Sequence, residues 1–125
     1  MFDIFVNLIA VSIGGAIGAE SRYYVSGKVK FSKPIPFGTY TVNVLGSFGL
    51  GAFGVLSNLL SLPHWLALLI GTGFFGCFTT MSTFAVESLG LSEESKWLAI
   101  ENISIMLVSV LLGALTGETI IQLIK

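Results

Sequence analysis

Four long apolar stretches constrain the fold of this chain more than any other feature of its sequence. They cover residues 4 to 26, 37 to 60, 63 to 91 and 97 to 123. A helix that crosses a bilayer needs roughly 20 predominantly apolar residues, so each stretch is long enough to span. The connections are short, and little of the chain is left over for a second domain. The sequence therefore predicts an all-α membrane protein of four transmembrane helices, forming one unit over residues 1 to 125.

The overall composition excludes several classes of protein. The chain is 54% hydrophobic and only 10% charged, with a mean hydropathy of +0.91, whereas a soluble domain carries about 25% charged residues. The net charge is -1 and there is no basic stripe, which excludes nucleic-acid binding. The single cysteine, Cys77, excludes a disulfide framework and most cysteine-ligated metal sites.

The third apolar stretch contains the run GTGFFGCFTTMSTFAVE at residues 71 to 87. Glycines and clustered hydroxyls are poor material for a helix interior, because they add backbone freedom or compete for backbone hydrogen bonds. In lipid, irregular backbone normally lines a site, where its freed polar groups find partners. We therefore expect the third helix to be broken in mid-membrane. The alternative is a continuous helix whose small residues serve close packing.

The second stretch carries a polar stripe at one-turn spacing. Thr39, Asn43 and Ser47 lie four residues apart and share one helix face. An asparagine in mid-membrane is costly unless its amide finds partners. Asn43 therefore either joins this helix to a neighbour or offers N–H donors to a passing anion.

Other polar groups within the apolar stretches are nearly all neutral hydrogen-bond donors. They are Thr79, Thr80, Ser82, Thr83, Glu87 and Ser109. No Lys, Asp or His accompanies them, and the only histidine, His64, falls in the turn after Pro63. Hydrolytic dyads, metal clusters and phosphate loops are therefore absent from the pattern, which predicts that the protein is not an enzyme. A line of neutral donors suits a small anion that must shed its water and keep hydrogen bonds.

Phe84 and Arg22 each have two interpretations. A phenylalanine has a positive ring edge, so Phe84 turned edge-on could meet an anion, although packing is the ordinary role of such a residue. Arg22 ends the first stretch beside Tyr23 and Tyr24. It either reaches lipid headgroups or faces a watery mouth and concentrates anions there.

Three motifs together resemble the Fluc, or CrcB, family of fluoride channels. They are GGAIGAESRYY at 14 to 24, FGTYTVNVLGSFGLG at 37 to 51 and GFFGCFTTMSTFAVE at 73 to 87. The resemblance extends over the whole chain in its size and four-helix layout. It implies a dimer of two copies inserted in opposite orientations, with two pores that let fluoride leave the cytoplasm passively and so reduce its toxicity. It also implies a prokaryotic cell membrane as the location.

The resemblance also assigns roles to particular residues. Asn43 matches the pore asparagine, and Phe84 matches the second phenylalanine of an aromatic pair whose first position is Met81 here. Polar-track and vestibule residues follow by the same matching: Ser82, Thr83, Glu87 and Arg22. The backbone carbonyls of Gly76 and Thr79 match those that hold a central sodium ion at the dimer axis. To the anion route we add Thr39 and Ser109 as further hydroxyl donors.

Three alternatives to a homodimeric fluoride channel remain open from the sequence. A small proton-coupled multidrug exporter has a similar layout, but it needs a carboxylate in the middle of its first helix, whereas Glu20 lies near the end. An accessory subunit that only packs against a partner is a second alternative. The third is one subunit of a heterodimeric channel, which an uneven charge distribution favours. Four lysines share one side of the membrane in the predicted topology: Lys28, Lys30, Lys33 and Lys96.

Overall fold

The computed structural model describes residues 2–29 and 35–124. Its helices are α1 (Phe2–Lys28), α2 (Phe37–Leu59), α3 (His64–Ala67), a π-helical segment (Leu68–Phe75), α4 (Gly76–Phe78), α5 (Met81–Glu94) and α6 (Lys96–Ile124). Four units are long and apolar enough to cross a bilayer: α1, α2, α6 and the third span, His64–Glu94, which joins the elements between them. The prediction of an all-α membrane protein with four spans is confirmed. The predicted ends differ by a few residues, because helices continue into polar sequence beyond their apolar core.

The outer surface of the chain is strongly apolar. Large side chains such as Phe5, Ile13 and Leu111 are at least half exposed along the lengths of α1 and α6. A soluble protein rarely exposes contiguous apolar surface of this extent, whereas a bilayer accepts it. The buried positions are few and mostly small or polar, as expected where packing rather than hydrophobic burial holds helices together.

Glycines bring α1 into backbone contact with the first half of the third span. A Cβ atom at Gly14 would overlap the carbonyl oxygen of Leu69, and one at Gly18 would overlap that of Phe74. From the other side, a Cβ at Gly73 would lie 2.7 Å from the carbonyl oxygen of Val11. Residue numbers increase in the same direction along this contact, so α1 and the first half of the third span run parallel. Such close approach of backbones at small residues is typical of helix contacts in membranes.

A second glycine contact joins α2 to α6, which also run parallel. A Cβ at Gly117 would overlap the carbonyl oxygen of Phe48, and one at Gly113 would lie 3.1 Å from that of Val44. The two glycine contacts hold the four spans as two tightly packed pairs. α5 packs against the first part of α6. There the side-chain amide of Asn102 donates to the hydroxyl of Ser88 at 3.1 Å, and both residues are buried.

The predicted break in the third helix is confirmed, but it falls at two threonines rather than at the glycines. The backbone is extended at Thr79 (φ -80°, ψ 159°) and Thr80 (φ -145°, ψ 120°). Gly71 and Gly73 stay helical within the π-helical segment. The Thr80 hydroxyl accepts from the amide N–H of Thr83 at 3.2 Å and so caps α5. A threonine side chain that replaces a backbone acceptor explains why the helix restarts there.

The connection between α1 and α2 falls mostly outside the described residues. Lys30 and Lys33 lie in this connection, outside the described residues. Lys125, at the end of the chain, also lies outside them. The predicted orientation of the chain depends in part on these three lysines and stays a prediction.

Candidate functional site

Asn43 is the side chain that holds the break together. It is only 8% exposed. Its Oδ1 accepts from the amide N–H of Thr80 at 2.7 Å, and its Nδ2 donates to the carbonyl oxygen of Thr80 at 3.0 Å. The two bonds fix the amide orientation, because only Oδ1 can accept from an N–H. Asn43 therefore satisfies irregular backbone that lipid could not satisfy.

The break frees backbone carbonyls at the end of α4, and those of Gly76 and Thr79 are among them. In a continuous helix, the Gly76 carbonyl would accept from the Thr80 N–H, and the Thr79 carbonyl from the Thr83 N–H. Those N–H groups donate instead to Asn43 and to the Thr80 hydroxyl. Nη1 of Arg22 lies 3.4 Å from the Thr79 oxygen and donates to it. Arg22 thus reaches toward the break rather than away from it.

A cleft of about 230 Å³ lies beside the break, between α2, α5 and α6. Its polar lining comes from Asn43, Ser47, Thr79 and Thr80, and its apolar lining includes Met81, Phe84 and Met106. The Phe84 ring is 4% exposed and is held within the bundle. The cleft therefore combines neutral donors with an aromatic ring, the two kinds of group that the sequence suggested for an anion route.

A second cleft, of about 490 Å³, opens near the ends of α1 and α2. Thr39, Thr83 and Glu87 contribute to its lining. The Thr39 hydroxyl donates to Oε1 of Glu87 at 2.8 Å. The other carboxyl oxygen of Glu87 is buried and has no hydrogen-bond partner among the described residues. Most buried side-chain oxygens in folded proteins have such a partner, so this oxygen distinguishes Glu87 from the other groups of the cleft.

A hydroxyl pair links the two clefts. The Thr80 hydroxyl, in the first cleft, donates to the Thr83 hydroxyl of the second at 3.0 Å. Polar groups therefore continue from the Thr39 and Glu87 pair through Thr83 and Thr80 to Asn43. Most of these groups are neutral donors in apolar surroundings.

The remaining predicted residues are placed differently. Met81 is 72% exposed, and Ser82 and Thr83 are also exposed on α5. Ser109 lines neither cleft, and its hydroxyl accepts from the Tyr40 hydroxyl instead. Gly76 is exposed, and a Cβ there would meet nothing within 4 Å. Apart from the half-buried Ser109, these residues are exposed in a single chain, and Met81 and Thr83 lie at the edges of the two clefts.

The parts that Thr80 and Met106 take in the first cleft were not predicted from the sequence. Thr80 was counted among the buried hydroxyls, but its backbone, which pairs with Asn43, was not expected to be central. Met106 is 3% exposed and lies 4.0 Å from the Asn43 amide through its sulfur. Met106 follows Asn102 by four residues, so both lie on the buried face of α6. This spacing is the sequence feature from which the position of Met106 could have been predicted.

Comparison with known proteins identifies the family. Residues 9–118 match the profile described as CrcB-like protein, Camphor Resistance (CrcB). A protein of Nitratidesulfovibrio vulgaris named fluoride-specific ion channel FluC is 44% identical over 96 residues, which cover 74% of this chain and 77% of that protein. A protein of the same name from Shewanella sp. strain ANA-3 is 42% identical over 114 residues, covering 86% of this chain and 92% of its own. The Shewanella baltica OS185 protein of that name has the same identity and coverage.

The matched region takes in the glycine contacts of α1, the Asn43 stripe and the whole broken span. These are the motifs on which the resemblance to fluoride channels was based. The match includes the line of neutral donors and nearly the whole of each membrane-spanning segment. The chain therefore belongs to the CrcB family of multi-pass membrane proteins.

Proposed function

We propose that the chain is a subunit of a passive, fluoride-selective channel that lets cytoplasmic fluoride leave the cell. The observation that carries this proposal is the polar line from Glu87 to Asn43, which follows the broken span through otherwise apolar surroundings. Relatives that cover most of the chain are named fluoride-specific ion channels. The donor chemistry and the names of the relatives point to the same ion.

The donors explain why the smallest halide is the expected ion. Fluoride is strongly hydrated, so it enters a protein only where hydrogen bonds replace its water. The hydroxyls of Thr80 and Thr83 and the amide of Asn43 offer such bonds without a fixed positive charge that would trap the ion. Larger halides gain less from each of these bonds, because their charge lies farther from the donor.

A dimer of two copies in opposite orientations completes the proposed route. Ser82 and Thr83 present hydroxyls on an exposed part of α5, where lipid would leave them poorly solvated. Met81 projects from the same helix and is 72% exposed. A second copy packed on this surface would turn open clefts into closed pores. Cross-linking between cysteines placed at opposite ends of α5 tests whether the two copies have opposite orientations. A paralogous partner of opposite orientation is the alternative to a second copy of this chain.

A sodium ion at the dimer axis fits the freed backbone. The carbonyls of Gly76 and Thr79 lose their usual helical partners, and the space beside Gly76 is open. Nη1 of Arg22 donates to the Thr79 oxygen at 3.4 Å, so sodium would have to replace Arg22 as the partner of that oxygen. Carbonyl oxygens are hard ligands of the kind that alkali cations take. Two from each copy would make a four-oxygen site without a charged ligand. A higher melting temperature in sodium than in N-methylglucamine would support this assignment, and equal temperatures would contradict it.

A proton-coupled multidrug exporter is the main alternative in function. Glu20, the carboxylate that such a mechanism would need in mid-helix, is exposed and lies beside Ser21 and Tyr24 near the end of α1. The side chains that line the two clefts are mostly hydrogen-bond donors, which suit an anion better than a cationic drug. The donor-rich clefts therefore favour the anion channel.

Replacing Met81 by phenylalanine is expected to maintain or increase fluoride flux. Met81 lines the first cleft, and a ring there adds a positive edge beside that of Phe84. A fluoride-electrode trace of the purified variant in vesicles measures the change. Met81→Ala, which removes the side chain, is the comparison and should lower flux. A phenylalanine variant that no longer forms the dimer would show instead that the position belongs to the core.

Growth on fluoride tests the proposed function in cells. In a bacterium whose own fluoride exporters are deleted, expression of this chain should restore growth in fluoride-containing medium. Expression of Asn43→Asp at the same membrane level should not. Growth that stays inhibited with abundant folded protein would count against fluoride export, or would point to a missing partner subunit if co-expression of one restored it.

A further inference from the structure

The amide of Asn43 has one N–H group that the broken backbone does not use. One N–H donates to the Thr80 carbonyl at 3.0 Å, and Oδ1 is occupied by the Thr80 N–H. The remaining N–H points toward the sulfur of Met106, which lies 4.0 Å from Nδ2. Both residues are buried, with Met106 only 3% exposed.

Methionine sulfur is a poor partner for this N–H. A thioether is a weak, polarizable acceptor, and 4.0 Å is at the outer limit for a bond to sulfur. An amide N–H held only by such a contact keeps most of its capacity to bind a stronger acceptor. The rest of the Asn43 amide is fixed by Thr80, so its direction does not change when the partner does.

The same N–H lies at the wall of the first cleft. Asn43 and Met106 line that cleft together with Phe84 and Thr80. An anion that enters the cleft therefore meets an oriented donor whose only present partner is easily displaced. The apolar body of Met106 meanwhile keeps the wall free of competing acceptors.

We propose that Met106 tunes fluoride binding in the route, because its sulfur is the displaceable resting partner of the Asn43 N–H. This inference depends on the proposed channel function. It assigns to Met106 a contribution that packing alone would not make: the sulfur sets how readily Asn43 exchanges its partner for the ion. A stronger acceptor at position 106 would occupy the donor, and no acceptor would leave it free.

Two substitutions separate these cases. Met106→Leu conserves volume but has no acceptor, so the Asn43 N–H gives up no protein partner when fluoride binds. The fluoride concentration that gives half-maximal flux should therefore fall by about two- to fivefold. Met106→Gln places a carbonyl oxygen beside the N–H, and flux should fall by about tenfold or more. Leu91→Gln is the matched control, since Leu91 is also buried, at 8% exposed, and lies outside the first cleft.

The experiment measures fluoride flux from vesicles over a range of fluoride concentrations for the wild type and the three variants. A lower half-maximal concentration in Met106→Leu, and a loss in Met106→Gln beyond that in Leu91→Gln, support the inference. An unchanged or higher half-maximal concentration in Met106→Leu overturns it, whatever the glutamine variant does. A wild type that carries no fluoride would overturn the channel function itself, which is a distinguishable result.

A second measurement needs no flux. The side-chain amide protons of Asn43 in the ¹⁵N-labelled dimer report their acceptors directly. On addition of fluoride, only the proton that faces Met106 should shift, and Met106→Leu should change the starting position of that proton alone. Equal shifts of both protons would contradict the assigned exchange of partners.

Discussion

Asn43→Asp is expected to lower fluoride efflux by at least about a hundredfold while the protein still elutes as a dimer. The change removes both N–H groups, so the Thr80 carbonyl loses the donor that lies 3.0 Å away and faces a carboxyl oxygen instead. A buried carboxylate at the first cleft also repels any approaching anion. Efflux from vesicles measures the loss, and size-exclusion chromatography reports assembly.

Asn58→Asp is the matched control for that substitution. Asn58 lies on the same helix, is exposed, and donates to the Gly54 carbonyl within its own helix at 3.0 Å. The same change of charge there should leave efflux within about twofold, because exposed polar groups carry little of the stability. Efflux near the wild-type level in Asn43→Asp would mean that the polar stripe of α2 is structural only.

Gly18→Ala is expected to destabilise the fold by about 2 to 3 kcal/mol. The added Cβ would overlap the Phe74 carbonyl oxygen, which belongs to a helix and cannot turn aside as a side chain would. α1 must then move away from the third span. Because Arg22 follows one turn later and reaches the Thr79 carbonyl, the shift should also disturb the break. Unfolding in mixed detergent micelles measures the change in free energy.

Gly27→Ala provides the comparison on the same helix. A Cβ at Gly27 meets nothing within 4 Å, so alanine should be neutral or stabilise by up to about 1 kcal/mol. Equal stabilities for the two alanine variants would show that α1 and the third span are not in close contact, and the packing described above would be wrong.

The helices were predictable because their cause is local. Each apolar stretch must satisfy its own backbone in lipid, which leaves only the helix. The π-helical segment at Leu68–Phe75 was not predictable. The position of the break was not predictable either. Thr80 interrupts the third span and caps α5 because Asn43, 37 residues away in the chain, accepts the hydrogen bond from its N–H. Such long-range pairing has no signature in local sequence.

The candidate site was predictable in its chemistry rather than in its connections. Donor-rich residue types on α2 and α5 indicated an anion route, and the structure gathers Asn43 and Phe84 in one cleft. The pairing of Ser109 with Tyr40 and the contact of Asn43 with Met106 depend on how α6 packs on α2. Met81 and Ser82 lie exposed on α5, a placement that their residue types do not indicate.

Ion efflux from vesicles that contain only this protein tests the account most directly. The hydroxyls and the amide beside the broken helix should let fluoride escape rapidly once an ionophore balances the charge, while chloride release stays at the level of protein-free vesicles. Chloride that leaves as fast as fluoride, or retention of both ions by vesicles whose dimers are intact, would contradict the account.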